Sequence, residues 1–394
     1  MLLGTTLFLL AFGLVMVLSS SSIESRVDDG DFFAQASRQG IFALVGIPVM
    51  LIASRAPVSF WRRWAWHAVG IGLLLQLLVF TPLGFGNGYN TNWLRLGSFT
   101  LQPSEFIKFA LVVWLAWVLT TKRHLLDNWR HVALPIFPVA GLAIVLVLLG
   151  NDLGTALILL AIVLGALFFA GVRLRIILAA LAAVALPGWI AISVSASRSG
   201  RFDAWLAGCD PKKLDPVLYG LHCWQSVNGW EALAHGGVFG VGLGNSAAKW
   251  AWLPAADNDF IFAIIGEELG LVGCILVLIL FVLLAICFIR IIRMVRDLFA
   301  KTATSVAMVW IIGQAFVNIA VVLGVLPVLG VPLPLVSSGG SALITTMAAI
   351  GVVLSFARTS PRETAISGRL RGASADDRPG RRSPGARVTP GTAQ

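Results

Sequence analysis

GGVFGVGLGNSAAKWAWLPAADNDFIFAIIGEELG, residues 236–270, carries two kinds of chemistry in one run of chain. Its first half is glycine-rich and polar. Its second half enters, near Phe260, an apolar stretch with the length and composition of a membrane-spanning helix. Asp259 stands where the two meet, two residues after Asp257. Loops that carry chemistry are usually held by a rigid scaffold, and the scaffold implied here is a bundle of transmembrane helices. The blander alternative is that Asp259 caps the helix that follows, because Asp is favoured at helix starts. From this stretch alone both readings stand.

The rest of the chain supplies the bundle. Of 394 residues, 58% are hydrophobic and 12% charged, a balance that excludes a soluble domain and demands several apolar runs of about 20 residues. Ten such runs are found, at 1–19, 37–54, 66–84, 105–121, 131–149, 152–171, 176–195, 260–290, 304–326 and 339–357. Hydrocarbon offers no partners to backbone groups, so each run is expected to be a helix and the fold an all-α polytopic membrane protein. The first run lacks a basic leader and a small-residue cleavage site, and reads as a retained span. The eighth is longer than a span needs and is expected to tilt or project.

A net charge of +10 would suggest nucleic acid in a soluble chain. Here the cations lie in short connections, where they set topology. One set of connections holds Arg55, Arg62, Arg63, Lys122, Arg123, Arg130, Arg173, Arg175, Arg290, Arg293, Arg296 and Lys301, together with the arginine-rich tail. The opposite set holds only Arg26, Arg38, Arg95, Arg198, Arg201, Lys212, Lys213 and Lys249. Both termini are therefore expected in the cytoplasm, with the long loop 196–259 outside. Residues 1–359 read as the transmembrane domain, and 360–394 as a basic disordered tail poor in large apolar residues.

Ionisable groups inside spans are costly and are usually paired or functional. Glu105 and Lys108 stand at i, i+3 on one helical face, so they can neutralise each other or serve a function directly. Glu267 and Glu268 are adjacent, and at least one must face the bundle or a polar cavity. Asp152 opens the sixth run, where a carboxylate suits a helix start. The run GGVFGVGLG lacks a Walker pattern and follows no strand, so close backbone packing or head-group contact explains its glycines better than a nucleotide site. GVPLPLVSSGG, before the last run, supplies broken backbone that membrane depth tolerates only under cover of protein or water. The histidines are scattered, no CxxC occurs, and no metal site is expected. Cys209 and Cys223 share the outer loop, where they are either a disulfide or two free thiols.

Taken together, NWLRLGSFTLQPSEFIKFALV (92–112), NDLGTALILL (151–160), the stretch 236–273 and LPVLGVPLPLVSSGGSALI (326–344) resemble the SEDS family (shape, elongation, division and sporulation). The matches keep the family's order, and GLGNSAAKW with GQAFVNIAVVLGVLP is more similar to its division members than to its elongation members. The resemblance implies a glycosyltransferase that polymerises lipid II on the outer face of a bacterial cytoplasmic membrane, at the division septum. The implied partners are a class B penicillin-binding protein that crosslinks the strands, and other division proteins. The family's essential aspartate falls on Asp259. An elongation-type polymerase and a lipid II flippase, which would use Glu105, Lys108 and Glu267 as a polar path, are the alternatives. This chain departs from the family in having Asp257 where His is common, Gly-Asn before DLGT, and Ser338 and Ala342 in the SSGGSA run. A second carboxylate at Asp257 would raise the pKa of Asp259.

Under this reading Asp259 is the general base for the acceptor hydroxyl. Lys249, Arg198 and Arg201 are nominated to face the departing pyrophosphate, with Arg95, Ser337, Gly339 and Gly340 as further substrate contacts. No dedicated cofactor is expected, although a divalent cation, Mg or Mn, would suit the pyrophosphate. The topology is checked by single cysteines in intact cells: one placed beside Lys212 is expected to react with an impermeant thiol reagent, and one beside Lys301 to stay unlabelled. Reversed labelling would put Asp259 in the wrong compartment.

Overall fold

The structure, a computed structural model, describes residues 1–28, 31–87, 90–97, 99–193, 196–250 and 253–376. Seven helices precede the long loop: α1 (Leu2–Asp28), α2 (Ala34–Ala53), α3 (Val58–Leu78), α4 (Pro103–Thr121), α5 (Trp129–Leu149), α6 (Leu153–Phe169) and α7 (Leu174–Ser193). The loop itself folds into α8 (Ala196–Leu206), α9 (Pro216–His222) and α10 (Trp224–Gly236). Then come α11 (Ile261–Met294), α12 (Leu298–Val322) and α13 (Gly340–Asp376).

The ten expected runs fall on α1–α7 and α11–α13. By length and composition, seven stretches are long and apolar enough to cross a membrane: α1, α2, α4, α5, α11, α12 and the Gly340–Thr359 part of α13. The apolar parts of α6 and α7 are shorter, and α3 carries Arg62 and Arg63 in its opening turns. Pro57 starts α3 with extended backbone, so this helix begins well before residue 66 and ends at Leu78. α13 continues beyond Ser360, where the sequence suggests a disordered tail, as far as Asp376; residues 377–394 lie outside the described residues.

α4 is the centre. Ile107, Ala110, Leu111, Trp114, Leu115 and Ala116 are all fully buried, and the helix packs against α3, α6, α12 and α13. A helix apolar all round is one enclosed all round. α2 lies along α13, while α1 contacts α2 and α11.

Two features depart from a plain bundle. Between α3 and α4 lies a three-stranded antiparallel sheet, β1 (Gly84–Asn87), β2 (Asn90–Leu96) and β3 (Phe99–Leu101), with Phe85 opposite Trp93 and Arg95 opposite Thr100. The expected third run covered β1's first residue, and the all-α reading missed the sheet because its strands are short. Its role is positional: β3 leads through Gln102 directly into α4, and Thr91 N donates to Gly150 O (3.2 Å) at the end of α5.

The second departure is inside α11, where Gly270 (φ 68°, ψ −165°) interrupts the helix. Breaking a helix frees backbone groups that hydrocarbon cannot satisfy. The glycine-rich segment after α10 satisfies them: Val241 N and Gly242 N donate to Glu267 O and Glu268 O (2.9 and 3.0 Å), and Leu271 N and Val272 N donate to Gly237 O and Val238 O (2.9 and 3.2 Å). Approach this close leaves no room for side chains. A Cβ on Gly240 (φ 79°) would stand 2.2 Å from Glu268 O, and one on Gly270 2.4 Å from Gly240 N. Close backbone packing is therefore what the glycine run provides.

Cys209 and Cys223 form a disulfide, Cα–Cα 5.5 Å, that ties the end of α8 to the junction of α9 and α10. Gly240→Ala combines a left-handed backbone with a clash against a carbonyl, and is expected to cost about 2 kcal/mol or more. Gly237→Ala, also at positive φ (54°) but in open space, is expected to cost less. Melting temperatures of the two variants in one detergent check this order.

Candidate active site

The starts of α2, α4, α6, α11 and α13, near Gln35, Gln102, Asp152, Asp259 and Ser337, come together: Gln35 reaches Asp257 and Ser338, Gln102 reaches Asp152 and Ser341, and Ser337 reaches Asn258. The turn Ala255–Phe260 is closed by Asn258 N and Phe260 N, which both donate to Ala255 O (3.1 and 3.2 Å). Phe260 occupies the N-cap of α11, with no side-chain cap hydrogen bond. Asp259 is thus not the cap, and that alternative falls away. Its Oδ1 is enclosed and has no hydrogen-bond partner, while Oδ2 lies 3.5 Å from the position a Cβ on Gly330 would take.

Neighbouring side chains hold this turn through its backbone. Asn318 Nδ2 on α12 donates to both Asp259 O (2.8 Å) and Val331 O (2.7 Å). Ser337 Oγ donates to Asn258 O (2.6 Å) and accepts from Leu333 N (2.8 Å). Ser338 N donates to Asp257 O (2.8 Å). From α2, Gln35 Nε2 donates to Asp257 Oδ2 (3.2 Å) and Ser338 Oγ (2.7 Å), while Gln39 bridges Ser337 O (3.1 Å) and Gly339 N (3.2 Å). The broken segment before α13 therefore covers the turn, as broken backbone in a membrane protein requires.

Burial pushes the Asp259 carboxyl up to about 7, Asp152 and Asp257 add repulsion, and Arg201 pulls the other way. Burial also raises Asp257, against the hydrogen bonds from Gln35 and Ser338. Asp152 caps α6 by accepting from Thr155 N (2.8 Å), and also accepts from Gln102 Nε2 (3.2 Å). It is a cap and part of the site's field together. A carboxyl that titrates near neutrality with a free oxygen is suited to take a proton from a hydroxyl.

The remaining candidates divide. Glu105 and Lys108 form a buried ion pair (2.8 Å), and Lys108 Nζ also donates to Gln314 Oε1 (2.9 Å). Gln314 Nε2 in turn holds Pro332 O (2.9 Å), so this group braces the broken segment from below. Glu267 accepts from Ala247 N (3.0 Å), Ala248 N (3.3 Å) and Ser246 Oγ, and contacts His235 Nδ1 (3.0 Å). Glu268 accepts from Ser19 Oγ (2.7 and 2.6 Å) and pairs with Lys249 Nζ (3.3 Å). Both glutamates face protein and pin the loop 244–249.

Two expectations are corrected, for Lys249 and for the Ser337–Gly340 segment. Lys249 is buried, its ammonium held by Glu268 and by Gly244 O (2.5 Å), and so does not face a pyrophosphate. Ser337 and Gly339 use their polar groups to brace the Asp259 turn, and Gly340 packs where a Cβ would meet Phe42 at 2.3 Å. Arg95 is exposed on the sheet with its guanidinium 4.1 Å over the Phe85 ring. Arg201 lies exposed on α8; the side chain of Arg198 lies outside the described residues. Sequence reasoning missed the amides Gln35, Gln39 and Gln102, and cited Gln314 and Asn318 only for resemblance. Their signal was an uncharged polar residue at or inside an apolar run.

Residues 1–362 match the family model FTSW_RODA_SPOVE, described as cell cycle protein. The chain is 39% identical to a probable peptidoglycan glycosyltransferase FtsW of Mycobacterium tuberculosis, over 93% of this chain and 68% of that protein. It is 36% identical to the protein of the same description from Geobacter sp., over 93% and 95%. A solved chain from a peptidoglycan synthase complex, described as coordinating polymerization and crosslinking, superposes with TM-score 0.73 at 26% identity, covering 91% of this chain and 97% of that one.

The structural assignment of Lys249 is open to a direct check. Lys249→Met strands a buried carboxylate, at a cost of about 3–5 kcal/mol. Adding Glu268→Gln removes the stranded charge, and most of the lost melting temperature is expected to return. A Lys249→Met protein as stable as the parent would count against the pairing.

Proposed function

The chain belongs to the FtsW/RodA/SpoVE family of cell cycle proteins, and from that membership and the geometry around Asp259 we propose that it polymerises lipid II into β-1,4 glycan strands during cell division. It is a peptidoglycan glycosyltransferase of the multi-pass membrane class. The observation that carries the mechanism is the Asp259 carboxyl itself: enclosed, raised to about 7, with Oδ1 unpartnered.

The reaction joins the 4-hydroxyl of one sugar to the anomeric carbon of another, and that carbon releases a lipid pyrophosphate. The Asp259 carboxylate accepts the hydroxyl proton as the new C–O bond forms, and the bond to the pyrophosphate breaks with its electron pair on oxygen. Inversion at the anomeric carbon requires no covalent enzyme intermediate, so one base suffices. The Asn318, Ser337 and Ser338 hydrogen bonds fix the turn that aims this base, which is how a rigid shell contributes to rate. Arg201 is proposed as a cation for the developing phosphate charge. Among the described residues no three His, Cys, Asp or Glu side chains converge as a metal-holding group. A divalent cation, Mg or Mn, would be held chiefly by the pyrophosphate oxygens and would neutralise the charge that develops there.

In this proposal the work is done on the outer face of a cytoplasmic membrane, at the septum; the bias of Lys and Arg toward the opposite connections supports an outer position for the long loop. The likeness to a chain of a peptidoglycan synthase complex supports a class B penicillin-binding protein as partner, with other division proteins around it. The flippase alternative loses its polar path: Glu105 and Lys108 close on each other, and Glu267 is occupied by the loop it holds.

Asp259→Asn preserves size but removes proton uptake, and polymerisation of lipid II is expected to fall by at least the ~10²-fold typical of losing a general base. Insertion and partner binding are expected to hold. Near-parental turnover by this variant, free of native enzyme, would end the mechanism. The base must be ionised to act, so kcat/KM is expected to rise with pH through an inflection near 7, the value to which Asp259 is pushed. Asp257→Asn removes one source of repulsion, and the inflection is expected to move to lower pH with substantial activity kept.

A further inference from the structure

Gln39 lies on the second turn of α2 and is buried. Both ends of its side-chain amide are spent on one stretch of backbone: Nε2 donates to Ser337 O (3.1 Å) and Oε1 accepts from Gly339 N (3.2 Å). The amide therefore pairs with the peptide groups on both sides of Ser338, much as a neighbouring strand would. Ser338 itself passes the contact on. Its N–H donates to Asp257 O (2.8 Å), and its hydroxyl accepts from Gln35 Nε2 (2.7 Å), one turn earlier on α2. Beside it, Ser337 Oγ donates to Asn258 O (2.6 Å). Hydrogen bonds thus run without interruption from α2, through residues 337–339, to the two residues that precede Asp259.

The segment 332–339 depends on such a grip. Pro332 and Pro334 bring no N–H, and Leu335 is held at positive φ (67°), a conformation that costs any side-chain-bearing residue. Val336 N and Ser337 N both turn back on Leu333 O (3.2 and 2.9 Å). A cavity of about 10 Å³ lies between the segment, Gln314 of α12 and Thr346 of α13, with Leu333, Ser337 and Gly339 in its wall. A void has no atoms to pack against, so on that side the segment is not fixed by packing. α2 is seated firmly by comparison. A Cβ on Gly46 would stand 2.6 Å from Met347 Sδ, and one on Gly351 of α13 would stand 2.4 Å from Met50 O.

We propose that Gln39 is a positioning residue for glycosyl transfer: its two-point grip on Ser337 and Gly339 makes α2 the reference against which the Asp259 turn is aimed. The inference rests on the transferase reading and names a residue that serves the base without touching substrate. Gln39 is two helices away in sequence from any catalytic motif, and its effect on rate is carried by backbone alone. Misplacing a reacting group by about 1 Å can cost on the order of 10²-fold in rate, so a shift of this segment is felt in kcat before it is felt in binding.

The experiment uses the full chain with its transpeptidase partner in detergent and lipid II as substrate. Gln39→Leu is expected to lower kcat by about tenfold to 10²-fold with KM little changed. Gln39→Glu supplies the rescue. Protonated, its carboxyl has one donor and one acceptor, as the amide does; ionised, it loses the donor and repels Ser337 O. Burial favours the protonated form, and the nearby carboxylates, Asp257 held by Gln35 at 3.2 Å and Asp259 on the same turn, favour it too. Gln39→Glu is therefore expected to follow the parent's rise of kcat/KM at the acid end and to fall away from it as pH increases. Gln76→Leu is the control, because Gln76 of α3 is equally buried but neither of its amide atoms has a hydrogen-bond partner; its kcat is expected to match the parent's. Parental kcat in Gln39→Leu, a loss confined to KM, an equal loss in Gln76→Leu, or no recovery in Gln39→Glu at any pH would overturn the assignment. Should Gln39→Leu not insert, Gln39→Glu carries the test alone. Failure of the transferase reading is told apart by Asp259→Asn, which abolishes turnover only if that reading holds. Hydrogen exchange reads the grip without turnover: the Ser338 and Gly339 amides are expected to lose protection in Gln39→Leu, and unchanged protection refutes it.

Discussion

One side-chain amide makes the rest of the site consistent with a membrane. Asn318, inside α12, donates to the carbonyls of both Asp259 and Val331. These belong to two irregular segments that a helical bundle would otherwise exclude, since unpaired backbone in hydrocarbon costs several kcal/mol per group. By serving both at once, Asn318 allows the chain to stop being helical just where Asp259 lies. Ser337, Gln35 and Gln39 extend the same solution outward, each linking one broken segment to another or to α2. The carboxyl that results is enclosed because its surroundings have used their polar groups on backbone, leaving Oδ1 without a donor.

The distribution of charge follows the same logic. Ionisable residues within the helices are numerous for so apolar a chain, but most are neutralised locally: Lys108 by Glu105, Lys249 by Glu268. Glu267 is neutralised differently, by two backbone N–H groups and a hydroxyl, which turns a costly anion into a clamp for the loop 246–248. Asp259 is different: its Oδ1 has no hydrogen-bond partner and no ion pair is formed to its carboxyl among the described residues. Its two carboxylate neighbours are each moderated by an amide, Gln102 for Asp152 and Gln35 for Asp257.

Much of this was legible in the sequence, and for identifiable reasons. Span-length apolar runs announce the bundle because hydrocarbon leaves the backbone one solution, and Asp259 stood out because a carboxylate at the mouth of a span needs explaining. The Glu105–Lys108 pair followed from i, i+3 spacing. What was not legible depends on tertiary partners. Lys249 looked like a free cation because nothing in a linear reading brings Glu268, nineteen positions on, to its ammonium. Gln35 and Gln39 carry no charge and lie far from Asp257 in sequence, so neither pattern nor motif points to them. In the sheet at 84–101, β1 and β3 have only four and three residues, and the seven of β2, NTNWLRL, do not alternate strictly; the break at Gly270 hides within an otherwise continuous apolar run.

That break gives α11 two mechanical identities. Above Gly270, the short segment carrying Phe260 through Leu269 is tied to the loop 237–249 by Glu267, Glu268 and their backbone partners. Below it, a long apolar rod presents Leu271, Val272, Ile275, Ile279 and Val282 outward. A single residue with non-helical backbone joins them, and the loop 237–249 clamps the joint from both sides, because Leu271 N and Val272 N at the head of the rod donate to Gly237 O and Val238 O. The two halves of α11 are thereby kept in register by the loop rather than by continuous helix, so the segment that leads back to Asp259 takes its orientation from the loop.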